Sequence, residues 1–282
     1  MTIMWSIVAV VLLGFGYKAY KNTKDVFLRR ERIGLAEHPE APVLNVLHLS
    51  DMHLENISIS PDELYDKLRG ETIDIIALTG DFLDRKRTIP KLAPYLEALR
   101  KLEPAHGIYA VFGNHDYVLR PEAFQKLRKT FHQYGCRTLQ NESDVVEIGG
   151  RRLHIIGIDD HCTGRSDLKK SFARATQHEY RLVLTHDPNV VLELDPYHYD
   201  YLLSGHFHGG QICWPKPYHL VKMGKLVRLN MIKGLHYAGG KPFYISEGLG
   251  QTGVNIRVGS RPEVTMHHLA ITQGAMSRTA AG

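Results

Sequence analysis

Five short polar clusters carry the residues best suited to hold a cation: Ser50-Asp51-Met52-His53, Gly80-Asp81, Gly113-Asn114-His115-Asp116, Thr185-His186-Asp187 and Gly205-His206-Phe207-His208-Gly209-Gly210. Asp, His and Asn without cysteine form a hard-to-borderline ligand set, suited to Mn, Fe(II), Zn or Mg rather than to a structural zinc cage. In the D-x-H pair the period of an extended strand predicts Asp51 and His53 on one side, and the same spacing makes His206 and His208 neighbours. One carboxylate can bridge two cations, and Asp81, central among the clusters, is the expected bridge. Two cations about 4 Å apart clamp a phosphoryl group and lower the pKa of a shared water toward ~7, which makes hydroxide available for in-line attack. A phosphoester is the substrate such a clamp fits. A lone D-x-H, or a lone histidine such as His154 or His267, is more often a surface or satisfied core residue. The order and spacing of all five clusters carry the expectation.

Each cluster follows an apolar run, at residues 43–49, 73–78, 107–112, 182–184 and 199–203, and further runs lie at 153–158 and 243–245. Helical patterns fill 61–69, 89–102 and 121–134, the first and third opening with proline. This alternation predicts an α/β fold whose ligands sit in loops beyond the carboxyl ends of rigid strands. Asp159 and Asp160 end the run at 153–158 and are expected to line the same pocket as substrate contacts.

Hydrophobic residues make up 43% of the 282 and charged residues 23%, the balance of a folded chain rather than a disordered one. The net charge of +5 suits an anionic substrate or lipid surface. No extended basic stripe with interleaved aromatics is present, so no specific nucleic-acid partner is expected. Cys136, Cys162 and Cys213 are odd in number and lack paired short spacings, which points to a reduced compartment.

The N-terminus differs from the rest. Residues 3–16 contain no charge, and the run reaches spanning length at Tyr20 if Lys18 snorkels to the interface. A positive region before the run and an A-x-A-like cleavage site, the marks of a secretory signal, are both missing. Lys18, Lys21, Lys24, Arg29 and Arg30 follow the run, so the positive-inside rule predicts a cytoplasmic body. The expected organisation is an anchor at 1–20, a basic and polar linker at 21–42, one catalytic domain at 43–272 and a flexible tail at 273–282. Between Ile212 and Lys241, six basic and several apolar residues occur with no Asp or Glu, a composition suited to an amphiphilic phosphate substrate or an anionic bilayer.

The clusters read D-x-H, G-D, G-N-H-D, a later H and G-H-x-H, and over residues 45–212 the chain resembles the calcineurin-like metallophosphoesterases. That resemblance implies an α/β fold, a four-layer α/β/β/α sandwich of two mixed sheets with two divalent metal ions at one end. It also implies roles: Asp51, His53 and His208 on the first metal, Asp81 bridging, and Asn114, His186 and His206 on the second. His115 matches the family's catalytic histidine, which sits beside the substrate phosphate without ligating metal. The anchor, the stretch GHFHGGQI and the stretch SEGLGQTGVNIRVGSRPEV are similar to the membrane-associated YkuE/YaeI-like branch, itself similar to UDP-2,3-diacylglucosamine pyrophosphate hydrolases. A lipid-linked phosphodiester or pyrophosphate substrate is the corresponding expectation.

Rival functions are weighed on particular residues. GDFLDRK partly resembles the G-D-x-V-D-R-G of Ser/Thr phosphatases and offers Arg85 as a phosphate contact, but Lys86, Phe112 and Asp116 depart from that group's pattern. A cytosolic cyclic-nucleotide phosphodiesterase gives no reason for the anchor. A non-catalytic scaffold is disfavoured because all seven ligand positions and His115 are intact.

Overall fold

Residues 2–176, 179–214 and 216–272 are described by the computed structural model; the tail expected at 273–282 lies outside them. The strands are β1 (Phe27–Ile33), β2 (Val43–Leu49), β3 (Ile75–Thr79), β4 (Ile108–Val111), β5 (Cys136–Thr138), β6 (Glu142–Ile148), β7 (Arg151–Gly157), β8 (Tyr180–Leu184), β9 (Tyr201–Ser204), β10 (Gly234–Ala238), β11 (Lys241–Ile245) and β12 (Glu263–Ala270). They form two six-stranded mixed sheets, ordered β1-β12-β2-β3-β4-β5 and β10-β11-β9-β8-β7-β6. Strands β2 to β5 are mutually parallel, as are β7, β8, β9 and β11. Their carboxyl ends therefore deliver the polar clusters to one rim.

Both faces of the central strands are covered, which is why they appear in the sequence as continuous apolar runs. In β2, Leu44 and Val46 pack between the sheets, while Leu47 and Leu49 join the core under the helices. Leu182, Leu184 and Leu203 from the second sheet meet them, and each fully buried side chain contributes about 2 kcal/mol. Helix α1 (Thr2–Asn22) stands apart, whereas α2 (Pro61–Leu68), α3 (Leu92–Arg100) and α4 (Pro121–Gln133) cover the first sheet. Helix α2 starts on a capping box between Ser60 and Glu63 with Pro61 in its first turn. Pro90 lies in a 3-10 turn over Lys86–Lys91, so the helix expected at 89–102 begins at Leu92. On the second sheet the outer layer is reduced to short helical turns at Leu168–Ser171, Pro188–Leu192 and Lys225–Arg228. The four-layer arrangement is present, with one thin face.

The expected linker at 21–42 needs correction: its residues 27–33 form β1, paired in parallel with β12. The strand's charge obscures it, and that charge has partners, since Arg29 Nε donates to Glu263 Oε2 at 2.9 Å. Helix α1 is long and apolar enough to cross a membrane and is exposed along most of its length until the buried Ala19.

Candidate metal centre

Every ligand candidate lies in a loop just beyond a strand end, and five of the seven sit in tight turns. Asp51, His53, Asp81, His206 and His208 all have φ between 37° and 75°, a left-handed backbone that costs non-glycine residues of order 1 kcal/mol or more each. Five such residues in one place mark a constellation held against local preference by its surroundings. They also correct the strand-period reading. Asp51 and His53 meet because the turn curls around a point, and His206 and His208 separate into two different groups.

The first group is Asp51, His53 and His208, with 3.1 Å between the Nε2 atoms of the two imidazoles and 3.3 Å from His208 Nε2 to Asp51 Oδ1. The second is Asp81, His186 and His206, with His186 Nε2 3.0 Å from Asp81 Oδ2 and 3.2 Å from His206 Nδ1. Asp81 Oδ2 also lies 3.7 Å from His53 Nε2, so this carboxylate stands between the groups. Asn114 Oδ1 is buried without a hydrogen-bond partner among the described residues. Facing imidazole nitrogens and an orphaned amide oxygen are poorly satisfied by one another, and a pair of cations would satisfy all of them. The donor set fits two divalent ions.

Burial pushes Asp51 up to about 6. Burial acts to raise Asp81, but the neighbouring His186, with His53 and His115, outweighs it and holds the carboxyl below the usual range. For His186 burial acts to lower the imidazole, but Asp81, with Asp51 and Asp160, overcomes it and raises the group well above its ordinary value. Burial lowers His53 to about 4 and depresses His206 and His208, leaving neutral rings of the kind cations bind. His186 Nδ1 lies 2.8 Å from the Thr79 carbonyl, which turns Nε2 toward Asp81.

The supporting roles of two residues escape the sequence reading. Fully buried Asp116 accepts the N–H groups of Asp81, Phe82, Leu83 and Gly113, tying two ligand loops together. Asp116→Ala leaves those donors without their acceptor, and at about 1–3 kcal/mol for an unsatisfied group the expected total is about 4 kcal/mol. The urea midpoint in detergent reads this loss, and an unchanged midpoint would show the tie to be dispensable. Arg257, fully buried, donates to the carbonyls of His208, Glu247, Gly248, Gly250 and Arg261 and so braces the first group from behind. Its position in the stretch GVNIRVG offered no signal beyond a lone arginine.

Gly113 permits a close approach between two ligand loops. A Cβ there would stand 2.3 Å from Asp81 Oδ1 and 2.7 Å from the His186 ring. Gly113→Ala is therefore expected to weaken metal binding about 10- to 100-fold, the range for disturbed ligand support. A metal titration of the folded variant checks this, and parental affinity would contradict it.

A cavity of about 300 Å³ opens over the groups, with Asp81, Asn114, His115, His206 and His208 on one side and Ile212, Leu220, Met223 and Val254 among the others. His115 is partly exposed at its edge, with Nδ1 4.0 Å from Asp84 Oδ2 and its ring edge-on to His53. A larger groove of about 660 Å³ below α1 contains none of the ligand candidates. Arg85, Asp159 and Asp160 do not line the cavity over the metal groups. Arg85 turns to Asp84 in solvent, Asp159 accepts from the Tyr117 hydroxyl, and Asp160 folds its own turn by accepting from Thr163 N.

Two mixed sheets presenting an Asp, Asn and His constellation at one rim define a metal-dependent phosphoesterase. The chain belongs to the calcineurin-like phosphoesterase family, whose pattern matches residues 44–210, and it is a hydrolase of phosphoric esters. It is 62% identical over 269 residues to YkoQ of Bacillus subtilis, an uncharacterized metallophosphoesterase, covering 95% of this chain and 99% of that one. The phosphodiesterase YaeI of Escherichia coli is 28% identical over 264 residues, covering 91% and 93%. Among solved structures, phosphopantetheinyl hydrolase PptH from Mycobacterium tuberculosis superposes with a TM-score of 0.48 at 12% identity, covering 74% of this chain and 90% of that chain.

Proposed function

We propose that this protein is a dinuclear, membrane-anchored phosphodiesterase or pyrophosphate hydrolase acting on an amphiphilic phosphoester. The observation that carries the reading is the position of Asp81 between two ligand groups on the floor of a cavity with one apolar wall. Asp51, His53 and His208 would hold one divalent ion and Asn114, His186 and His206 the other, with Asp81 standing between the two groups. Two ions held there would supply Lewis acidity toward a phosphoryl group and toward an attacking water. Asp116 and Gly113 keep the two ligand loops at their close spacing. His115, at the cavity edge with Asp84 behind it, protonates the leaving oxygen or stabilises charge developing on the phosphoryl group. Ile212, Leu220 and Met223 give an apolar leaving group a surface to pack on.

In this reading helix α1 anchors the chain and residues 43–272 with β1 form the catalytic body, and the positive residues after the anchor support a cytoplasmic position for that body. The test is a panel of mono- and diesters in detergent with Mn, Fe, Zn or Mg, including a nucleotide-linked glycolipid. The reading expects diester or pyrophosphate cleavage with preference for amphiphilic members. Hydrolysis confined to soluble monoesters would reject it.

A further inference from the structure

Between Ile212 and Lys241, Lys216, Lys222, Lys225 and Arg228 are exposed and no acidic residue occurs. Exposed apolar side chains stand among them: Trp214, at 73% of its full accessibility, with Tyr218 and Val221. This display is fixed from below. Leu220 and Leu226 are buried, and Asn189 Nδ2 donates to the Met223 carbonyl at 2.9 Å. The same segment supplies one wall of the cavity over the metal groups, and Val254, 62% exposed, stands in its lining as well.

The foot of α1 reaches this rim. Arg257 N–H donates to the Ala19 carbonyl and Asn22 Nδ2 to the Arg257 carbonyl, both at 2.9 Å. The next residue, Val258, pairs with Ile212, and its carbonyl accepts from Cys213 N at 2.7 Å. Hydrogen-bonded neighbours thus connect the last turns of the apolar helix to the residue before Trp214.

We propose that Trp214, Tyr218, Val221 and Val254 dock into an anionic bilayer surface, with Lys216, Lys222, Lys225 and Arg228 against the headgroup phosphates, so that the cavity opens at the interface. This rests on the reading of α1 as the anchor. Aromatic residues with a polar edge favour the headgroup depth, clustered cations favour anionic lipid, and a tethered rim meets that lipid at high effective concentration. A phosphoester with an apolar tail then reaches the metal groups without leaving the bilayer.

Trp5 and Trp214 are the two tryptophans of the chain, which makes the proposal directly readable. Full-length Trp5→Phe protein is reconstituted in phosphatidylcholine and phosphatidylglycerol vesicles with and without brominated acyl chains. Trp214 emission is expected to shift to the blue and fall about twofold with bromines near the carbonyl end, as for a side chain at the interface. Combining K216E, K222E and K225E is expected to reduce that quenching, and no reduction would remove the cations from the proposal. Full-length Trp214→Phe protein reports Trp5 in α1. Quenched Trp5 beside an unquenched, acrylamide-accessible Trp214 would overturn the docking while keeping the anchor, and would leave the surface to a protein partner. If Trp5 also escapes quenching, the anchor reading fails with it.

Discussion

Asp81→Ala protein is expected to fold and to lose both equivalents of metal together with hydrolysis, a fall of about 10⁴-fold or more, as when one member of a set acting as a unit is removed. The expectation follows from geometry: Asp81 Oδ2 lies 3.0 Å from His186 and 3.7 Å from His53, so one deletion removes a member of the second group and the carboxylate that stands between it and the first. Its Oδ1 also accepts the His115 N–H at 2.8 Å, so the His115 loop loses a contact too. Asp167→Asn is the control, because Asp167 caps a short helical turn by accepting from Lys170 N and belongs to neither group. Elemental analysis with turnover reads the result. Two equivalents of metal retained by folded Asp81→Ala protein would contradict the bridging role.

His115→Ala is expected to separate chemistry from coordination. Its imidazole lies at the cavity edge against the His53 ring, and it is not needed to complete either ligand group. Turnover should fall by about 10²- to 10⁴-fold with metal content intact, the range for loss of a general acid or a charge-stabilising group. If His115 is the acid, esters with strongly acidic leaving groups should suffer a smaller loss than unactivated esters. Unchanged turnover on an unactivated ester would exclude both roles.

The parts of the fold that were legible in the sequence are those where burial acts on both sides of a strand. Strands β2, β3, β4, β8 and β9 are central, parallel and apolar, and each is followed by a ligand cluster. The edge strands β1, β6 and β10 carry charge or polarity on a solvated side and gave no apolar run. Strand β12 is internal yet was missed for a different reason: its polar residues are satisfied by distant partners. Glu263 accepts from Arg29 and the Tyr244 hydroxyl, and His267 Nδ1 meets the Tyr201 hydroxyl at 3.0 Å.

The ligand candidates were legible because hard-ligand residue types recur at strand ends in a fixed order. Their grouping came from the family resemblance, and the structure brings the same residues together by left-handed turns that no strand period predicts. The roles of Asp116 and Arg257 were not legible, since their work is to bind backbone groups of loops that are remote in sequence or unremarkable in composition. Arg85, Asp159 and Asp160 show the converse: the right chemical type near the right strand end, yet outside the lining of the cavity over the metal groups.

The most direct test of a dinuclear centre is diffraction from manganese-loaded crystals at a wavelength where that metal scatters anomalously. The account predicts two peaks about 4 Å apart on either side of Asp81, one near Asp51, His53 and His208 and the other near Asn114, His186 and His206. A single peak, or peaks that do not share Asp81, would contradict it.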